Sequence, residues 1–254
     1  MEHGLALPSV VLAGAGPKLT PHRTLPPRLR TLLIHGLRDD VVPVADSIAL
    51  FRSSPDAALL LLDDEHGLPT AVGPGLLRGV AWCLGQEPVG HPVAGVALRP
   101  EAPGDEISLR RIHRDAFPDG GEAGLVDALR RSSDVVLSQV AELHGRVVAH
   151  ALYVRVHIDG RPGVGLAPLA VHPEAQGRRI GAAVAMAGLD ACRSAGERFA
   201  VVLGDPGYYE RLGFAPAHRF GIACEYEVPP GVFRVQPLED GGLTTLDYEL
   251  RLSK

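Results

Sequence analysis

Lysine is nearly absent: it occurs only at positions 18 and 254, and every other basic residue is arginine. This reads as coding bias and carries no function. Cysteine is also scarce. Cys83, Cys192 and Cys224 are far apart and odd in number, and no Cys-x-x-Cys or Cys/His ligand spacing occurs, which excludes a disulfide framework and a structural zinc site. Free thiols in a reducing compartment follow, so the expected location is the cytoplasm and no metal is expected. No apolar run is long enough to span a membrane. The run "LALPSVVLAGAG" imitates a signal peptide, but the leader "MEHG" has no Lys or Arg and Pro8 interrupts the run, so secretion is not expected. A net charge of -5 argues against a nucleic-acid surface and favours a cationic small partner. Two catalytic signatures are missing outright: the Gly-Lys-Ser/Thr of a Walker loop and the Gly-x-Ser-x-Gly of a nucleophile elbow. "GAGPKL" at Gly14 begins like a dinucleotide fingerprint, but it lacks the third glycine, and Pro17 and Pro21 stand where a helix should start.

What is present divides into two halves around the Pro/Gly-rich stretch Leu84 to Gly95. The expected division is 1–86, a linker at 87–92, and 93–254. In the first half, "SVVLA" (Ser9 to Ala13), "TLLIH" (Thr31 to His35) and "ALLLL" (Ala58 to Leu62) are apolar without alternation. Strands buried on both faces look this way, so a small parallel sheet is expected. Val44, Ile48 and Phe51 mark one covering helix; Leu77, Val80, Ala81 and Leu84 mark another. The second half reads as α+β with a mostly antiparallel sheet. It has a strand near Gly95 to Leu98 and a helix capped by Asp105 with Leu109, Ile112, His113, Ala116 and Phe117 on one face. A second helix, "GEAGLVDALRRS", precedes a hairpin about Gly145. Terminal strands are expected around Arg219 to Ala223 and Thr244 to Leu250. His144, His150 and His157 do not share one strand face and read as structural.

The stretch "LAPLAVHPEAQGRRIGAAVAMAGL" joins an apolar strand to a small-residue helix through Gln176-Gly177-Arg178-Arg179. Amides at a helix start have no intrahelical partner and favour an anion, and two arginines add charge-assisted donors. Gly181 and Ala182 keep the first turn slim. A pyrophosphate fits such a loop. Arg179 is expected to be helical in conformation, adding a phosphate contact.

Taken in order, Gln176-Gly177-Arg178-Arg179-Ile180-Gly181-Ala182 and "YYERLGF" (Tyr208 to Phe214) resemble the signatures of the GNAT superfamily of N-acetyltransferases, over about residues 93–254. The family pattern is Gln/Arg-x-x-Gly-x-Gly/Ala, and Arg179 departs from it at the first glycine. The resemblance implies a mixed sheet with splayed central strands and acetyl-CoA as co-substrate, its arm lying along Leu169, Ala170 and Val171. It also implies Tyr209 as the acid that protonates the departing thiolate. The base is open between Glu122 and His172. The acceptor would be a primary amine of a small molecule or a protein. The alternative is a non-catalytic acyl-CoA-binding module. A homodimer is compatible with the sequence.

The first half resembles the C-terminal part of α/β-hydrolases. "HGLRDDVVP" puts the family's acid at Asp39, and "DDEHG" puts its histidine at His66. By this resemblance the chain begins at the sixth strand, after the nucleophile, and no hydrolase activity is expected. Such a fragment would leave an apolar strand edge unpaired and would either lean on another surface or be loose.

Overall fold

The computed structural model describes residues 9–12, 30–62, 74–83, 89–90, 92–117, 121–132, 134–224, 226–239 and 243. The three apolar runs of the first half form β1 (Ser9–Leu12), β2 (Thr31–Gly36) and β3 (Ala57–Leu62), mutually parallel and in sequence order. Helices α1 (Val44–Arg52) and α2 (Pro74–Cys83) complete this half. Leu33 and Leu59 pack with Leu50 and Phe51 of α1, while Leu32, Ile34 and Ala58 pack with Trp82 of α2. Both faces are covered, which is why the strands do not alternate. One expectation fails on α2: Leu77 is 71% exposed, and Gly79 and Trp82 form the buried face instead. A side chain on Gly79 would strike Leu32, so that residue sets how closely α2 lies on the sheet.

The second half runs β4 (Val96–Pro100), α3 (Glu106–Ala116), α4 (Gly121–Ser132), β5 (Val135–Leu143), β6 (Arg146–Ile158) and β7 (Arg161–Val171). Then come α5 (Ile180–Ser194), β8 (Phe199–Leu203), α6 (Pro206–Arg211), β9 (Ala215–Pro216) and β10 (Phe233–Pro237). The β5–β6 hairpin turns through His144 and Gly145, both with positive φ, as a tight two-residue hairpin requires. Strands β4 to β7 are antiparallel. Helix α5 covers one face of them and α3 the other, with Leu109 and Ile112 of α3 against Val140 and Ala170.

The two halves share one sheet. β3 pairs in parallel with β4 through Leu59–Ala97 and Leu60–Leu98, giving the order β1-β2-β3-β4-β5-β6-β7-β8-β10-β9. Behind this seam α2 packs on α5, and Arg78 bonds Asp190, which Arg193 also holds at 2.9 Å. The surface the first half leans on is therefore the outer edge of the second half's own sheet.

Other readings change. Asp105 does not cap α3 with its side chain; its carboxylate takes the Ala102 amide at 2.8 Å and Arg99 at 2.6 and 3.0 Å. Ala217 to Phe220 is a 3-10 turn closed by Gly221 rather than the start of a strand, and the strand beside β8 is β10, further on. The strand expected at 244–250 lies outside the described residues. No helix among the described residues is long and apolar enough to cross a membrane.

Candidate active site

β7 and β8 run side by side only at Val164–Ala200 and Gly165–Val201. Beyond Gly165 the pairing ends, and among the described residues the side of Leu166 to Val171 that faces β8 has no strand neighbour. On its other side β7 stays paired, with Ala151–Leu169, His150–Ala170 and Ala149–Val171 in register with β6. The strands thus splay at the segment expected to carry the co-substrate's arm.

The chain leaves β7 through a 3-10 turn, Pro173–Ala175, and reaches Gln176, whose side-chain amide donates to the Val171 carbonyl at 3.0 Å. Gly177 has φ +73, which suits glycine, with open space around the position of a Cβ. Arg178 is exposed. Arg179 is not helical: with φ 63 and ψ 4 it is the left-handed residue that precedes α5. The expectation of a helical Arg179 is corrected here. A non-glycine residue in this region pays roughly 1 kcal/mol of steric strain. The first bond into the helix runs from the Ala183 amide to the Arg179 carbonyl at 3.0 Å. The amides of Ile180, Gly181 and Ala182 precede it and have no intrahelical acceptor.

Gln176, Gly177, Arg179 and Ile180 to Ala182, but not Arg178, line a cleft of about 470 Å³ that also includes Val171, Tyr208 and Arg211. A Cβ on Gly181 would lie 3.0 Å from both the Tyr208 hydroxyl and Val171 Cγ2, so a side chain there would crowd both walls of the cleft. Further along α5, Gly188 makes room for Tyr153. A Cβ there would meet the Tyr153 hydroxyl at 2.7 Å, and that hydroxyl donates to the Ala185 carbonyl at 2.5 Å.

Both tyrosines sit on α6, which starts where Asp205 accepts the Tyr208 amide at 2.6 Å and Pro206 begins the helix. Tyr208 faces the cleft, with the Arg211 guanidinium 5.7 Å above its ring. Tyr209 packs edge-on against Phe214, 5.7 Å between centroids, and would collide with any side chain on Gly204. Burial raises both phenols above their ordinary value, which keeps them protonated at neutral pH.

His172 ends β7. Its Nδ1 accepts the Glu174 amide at 3.4 Å and its Nε2 lies 3.5 Å from Asp115. Glu122 falls in the first turn of α4, and its side chain lies outside the described residues. In the first half, Asp39 accepts the amides of Val41 and Val42, each at 2.9 Å, closing a turn. His66 lies outside the described residues.

Sequence reading missed a buried polar chain beneath α3. His113 Nε2 lies 2.7 Å from His150 Nδ1, and His150 Nε2 lies 2.8 Å from Ser138 Oγ. Ser138 donates to Glu101, which Arg130 clamps at 2.6 and 2.7 Å. Because Glu101 only accepts, the direction of every bond is set. His150 donates from Nε2 to Ser138, and His113 donates from Nε2 to His150. Both imidazoles are then neutral, and His113 Nδ1 is left buried without a partner. Burial, with Arg130 nearby, lowers His113 to about 4. Burial first, then His113 and Arg130, lower His150 to about 3 against the opposing pull of Asp105. An apolar helix face containing one histidine and a strand containing another gave no sign that the two meet.

Residues 106–214 match the model of the acetyltransferase (GNAT) family. The uncharacterized N-acetyltransferase YhbS of Escherichia coli K12 is 32% identical over 149 residues, 58% of this chain and 89% of its own length. A second uncharacterized N-acetyltransferase of that strain, YjhQ, is 35% identical over 132 residues, covering 49% of this chain and 73% of its own. The crystal structure of YhbS from Escherichia coli in complex with CoA superposes with a TM-score of 0.56 at 31% identity, over 58% of this chain and 84% of that one. With the strands splaying beyond Gly165 and with the glycine-bearing helix start and Tyr208 of α6 lining one cleft, the chain belongs to the GNAT family of acetyltransferases.

Proposed function

We propose that this protein transfers an acetyl group from acetyl-CoA to a primary amine of a small molecule or a protein, by direct attack. The observation that carries the reading is the conjunction of two features. One is the cleft at the bare amides of α5; the other is the gap between β7 and β8, which opens beyond Gly165 and runs to Val171 at the cleft. The pyrophosphate would lie on the amides from Gly177 to Ala182, with Arg178 and Arg179 supplying positive charge and Gln176 bracing the loop. The crystal structure of the relative YhbS holds CoA, which supports the choice of ligand. The arm would follow Leu169, Ala170 and Val171, whose open side can offer backbone groups to an amide-bearing chain and an amide N–H to the thioester carbonyl.

The chemistry asked of the protein is modest. The amine nitrogen attacks the carbonyl carbon, the carbon–sulfur bond breaks, and the thiolate takes a proton. Tyr209, which as a phenol is protonated at neutral pH, is the proposed donor. The amine's own proton goes to Glu122 or His172. With Nδ1 accepting the Glu174 amide, Nε2 carries the hydrogen beside Asp115, so His172 can take the proton only at Nδ1, by giving up that amide.

The first 86 residues are proposed to be a C-terminal fragment of an α/β-hydrolase, joined by residues 87–92 to the acetyltransferase domain at 93–254. Asp39 is occupied with two backbone amides, and no nucleophile elbow occurs in the 254 residues, so no ester turnover is expected of them.

Calorimetric titration with acetyl-CoA, for the wild type and for Gly181→Glu, tests the cleft. The carboxylate would crowd Tyr208 and Val171 and repel phosphates, so affinity should fall by at least tenfold; equal affinities would refute the assignment. Thiol release from acetyl-CoA across a panel of amines tests turnover. Binding without release from any amine would favour the non-catalytic module.

A further inference from the structure

We propose that Val89 and Gly90, which connect the two halves, form the nucleotide-side wall of the acetyl-CoA cleft, so that the connector, held in place by the N-terminal half, takes part in binding the co-substrate. This rests on the assignment of that cleft to acetyl-CoA. Val89 and Gly90 line the same cleft as Arg179, Gly181 and Ala182. Gly90 has φ +70 and lies directly on α5: a Cβ there would come 2.6 Å from Met186 Cβ and 3.4 Å from the Ala182 carbonyl. The conformation and the close approach both demand glycine, which fixes the connector against the first two turns of the helix that carries the anion loop. Val89 beside it is 45% exposed and offers an apolar side chain at the cleft.

The connector's position is set from behind as well as from the front. Pairing of β3 with β4, packing of α2 on α5 and the bond from Arg78 to Asp190 hold the first half against the second. Its side of the cleft follows from strand order. The gap that would admit the acyl arm lies between β7 and β8, and Tyr208 and Arg211 flank the loop from the β8 side. Gly90 also borders Val96 and Leu98 of β4, at the opposite end of this run of strands. With the pyrophosphate on the loop between them, the arm leads toward β8, and the nucleoside is left to the connector. Its ligand chemistry is therefore the adenosine 3′-phosphate end: an apolar contact from Val89 to the base or ribose, over a backbone that brings no charge.

The test uses the full chain, with Val89→Asp and Val89→Leu, and three probes: acetyl-CoA, adenosine 3′,5′-bisphosphate and S-acetylpantetheine. Val89 is a surface residue, so the variants should melt with the wild type, and only variants that do so are compared. A carboxylate at position 89 should weaken acetyl-CoA and the bisphosphate by about tenfold through repulsion of nearby phosphate, and leave S-acetylpantetheine unchanged. Val89→Leu should bind all three as the wild type does. Equal weakening of S-acetylpantetheine by Val89→Asp, or no weakening of the bisphosphate, would overturn the proposal. Failure of acetyl-CoA to bind the wild type would instead remove the assignment on which it stands.

Discussion

The paired imidazoles of His113 and His150 make a quantitative demand on acid stability. Both are neutral in the fold, held at about 4 and about 3 chiefly by burial, whereas an unfolded histidine titrates near 6.5. The folded pKa values lie below the unfolded value, so the unfolded chain binds the extra protons. The stabilisation of the neutral pair is complete above pH about 6.5 and is lost as pH falls from there toward 4. At pH about 5.5 each unfolded imidazole gains roughly 1.4 kcal/mol from protonation, which the folded one does not share, so the pair costs the fold about 3 kcal/mol relative to pH 8. The figure requires only that both folded values lie well below 5.5. Arg130 reinforces the shift from α4, Asp105 opposes it for His150, and the Glu101 carboxylate fixes the proton positions. Urea unfolding at pH about 8 and about 5.5 reads the difference. His113→Gln retains an N–H donor for His150 and removes one titration, so over the same interval it should lose about 1.4 kcal/mol less than the wild type. Direct titration of the imidazole carbons by NMR should find both near or below 4. A wild type and variant that lose the same free energy, or an imidazole of the pair that titrates above 6, would show that the chain of hydrogen bonds is misassigned.

The remaining expectations concern the cleft and the helix behind it. Arg179→Gly removes the left-handed strain before α5 and should raise stability by roughly 0.5–1 kcal/mol. Loss of a charged donor to phosphate should cost acetyl-CoA about tenfold in affinity, and a fall in melting temperature would contradict the strain. Gly188→Ala drives a methyl into the Tyr153 ring and should destabilise by about 1–3 kcal/mol, seen as a lower urea midpoint; an unchanged midpoint would mean that Tyr153 is free to move. Tyr209→Phe should lower kcat by roughly 10²-fold with acetyl-CoA affinity retained. Tyr208→Phe should instead act on affinity, because the hydroxyl it removes stands beside Gly181 in the cleft. Since burial raises both phenols, neither should produce an alkaline limb below pH about 10, and equal effects of the two substitutions on kcat would make Tyr209 a packing residue.

The sequence by itself determined the elements whose causes are local. The apolar runs at Thr31 and Ala57 announce strands covered on both faces, His144-Gly145 announces a turn, and the small residues from Ile180 announce a helix whose first amides stay free. The two motifs around that helix also identify the family. Tertiary structure decided what pairs with what. The joining of β3 to β4 leaves no mark in either strand, because backbone groups bond any suitably placed neighbour, and the same holds for β10 beside β8. Asp105 has the look of a helix cap, but the nearby Arg99 guanidinium offers its carboxylate a stronger partner. Arg179 occupies a left-handed position that the tight exit from the Pro173 turn imposes, against its own steric preference. His113 and His150, separated by 37 positions, come within 2.7 Å only because α3 lies across β6. A side chain's partner is a property of packing, and periodicity along the chain reports which face is buried but not what the face meets.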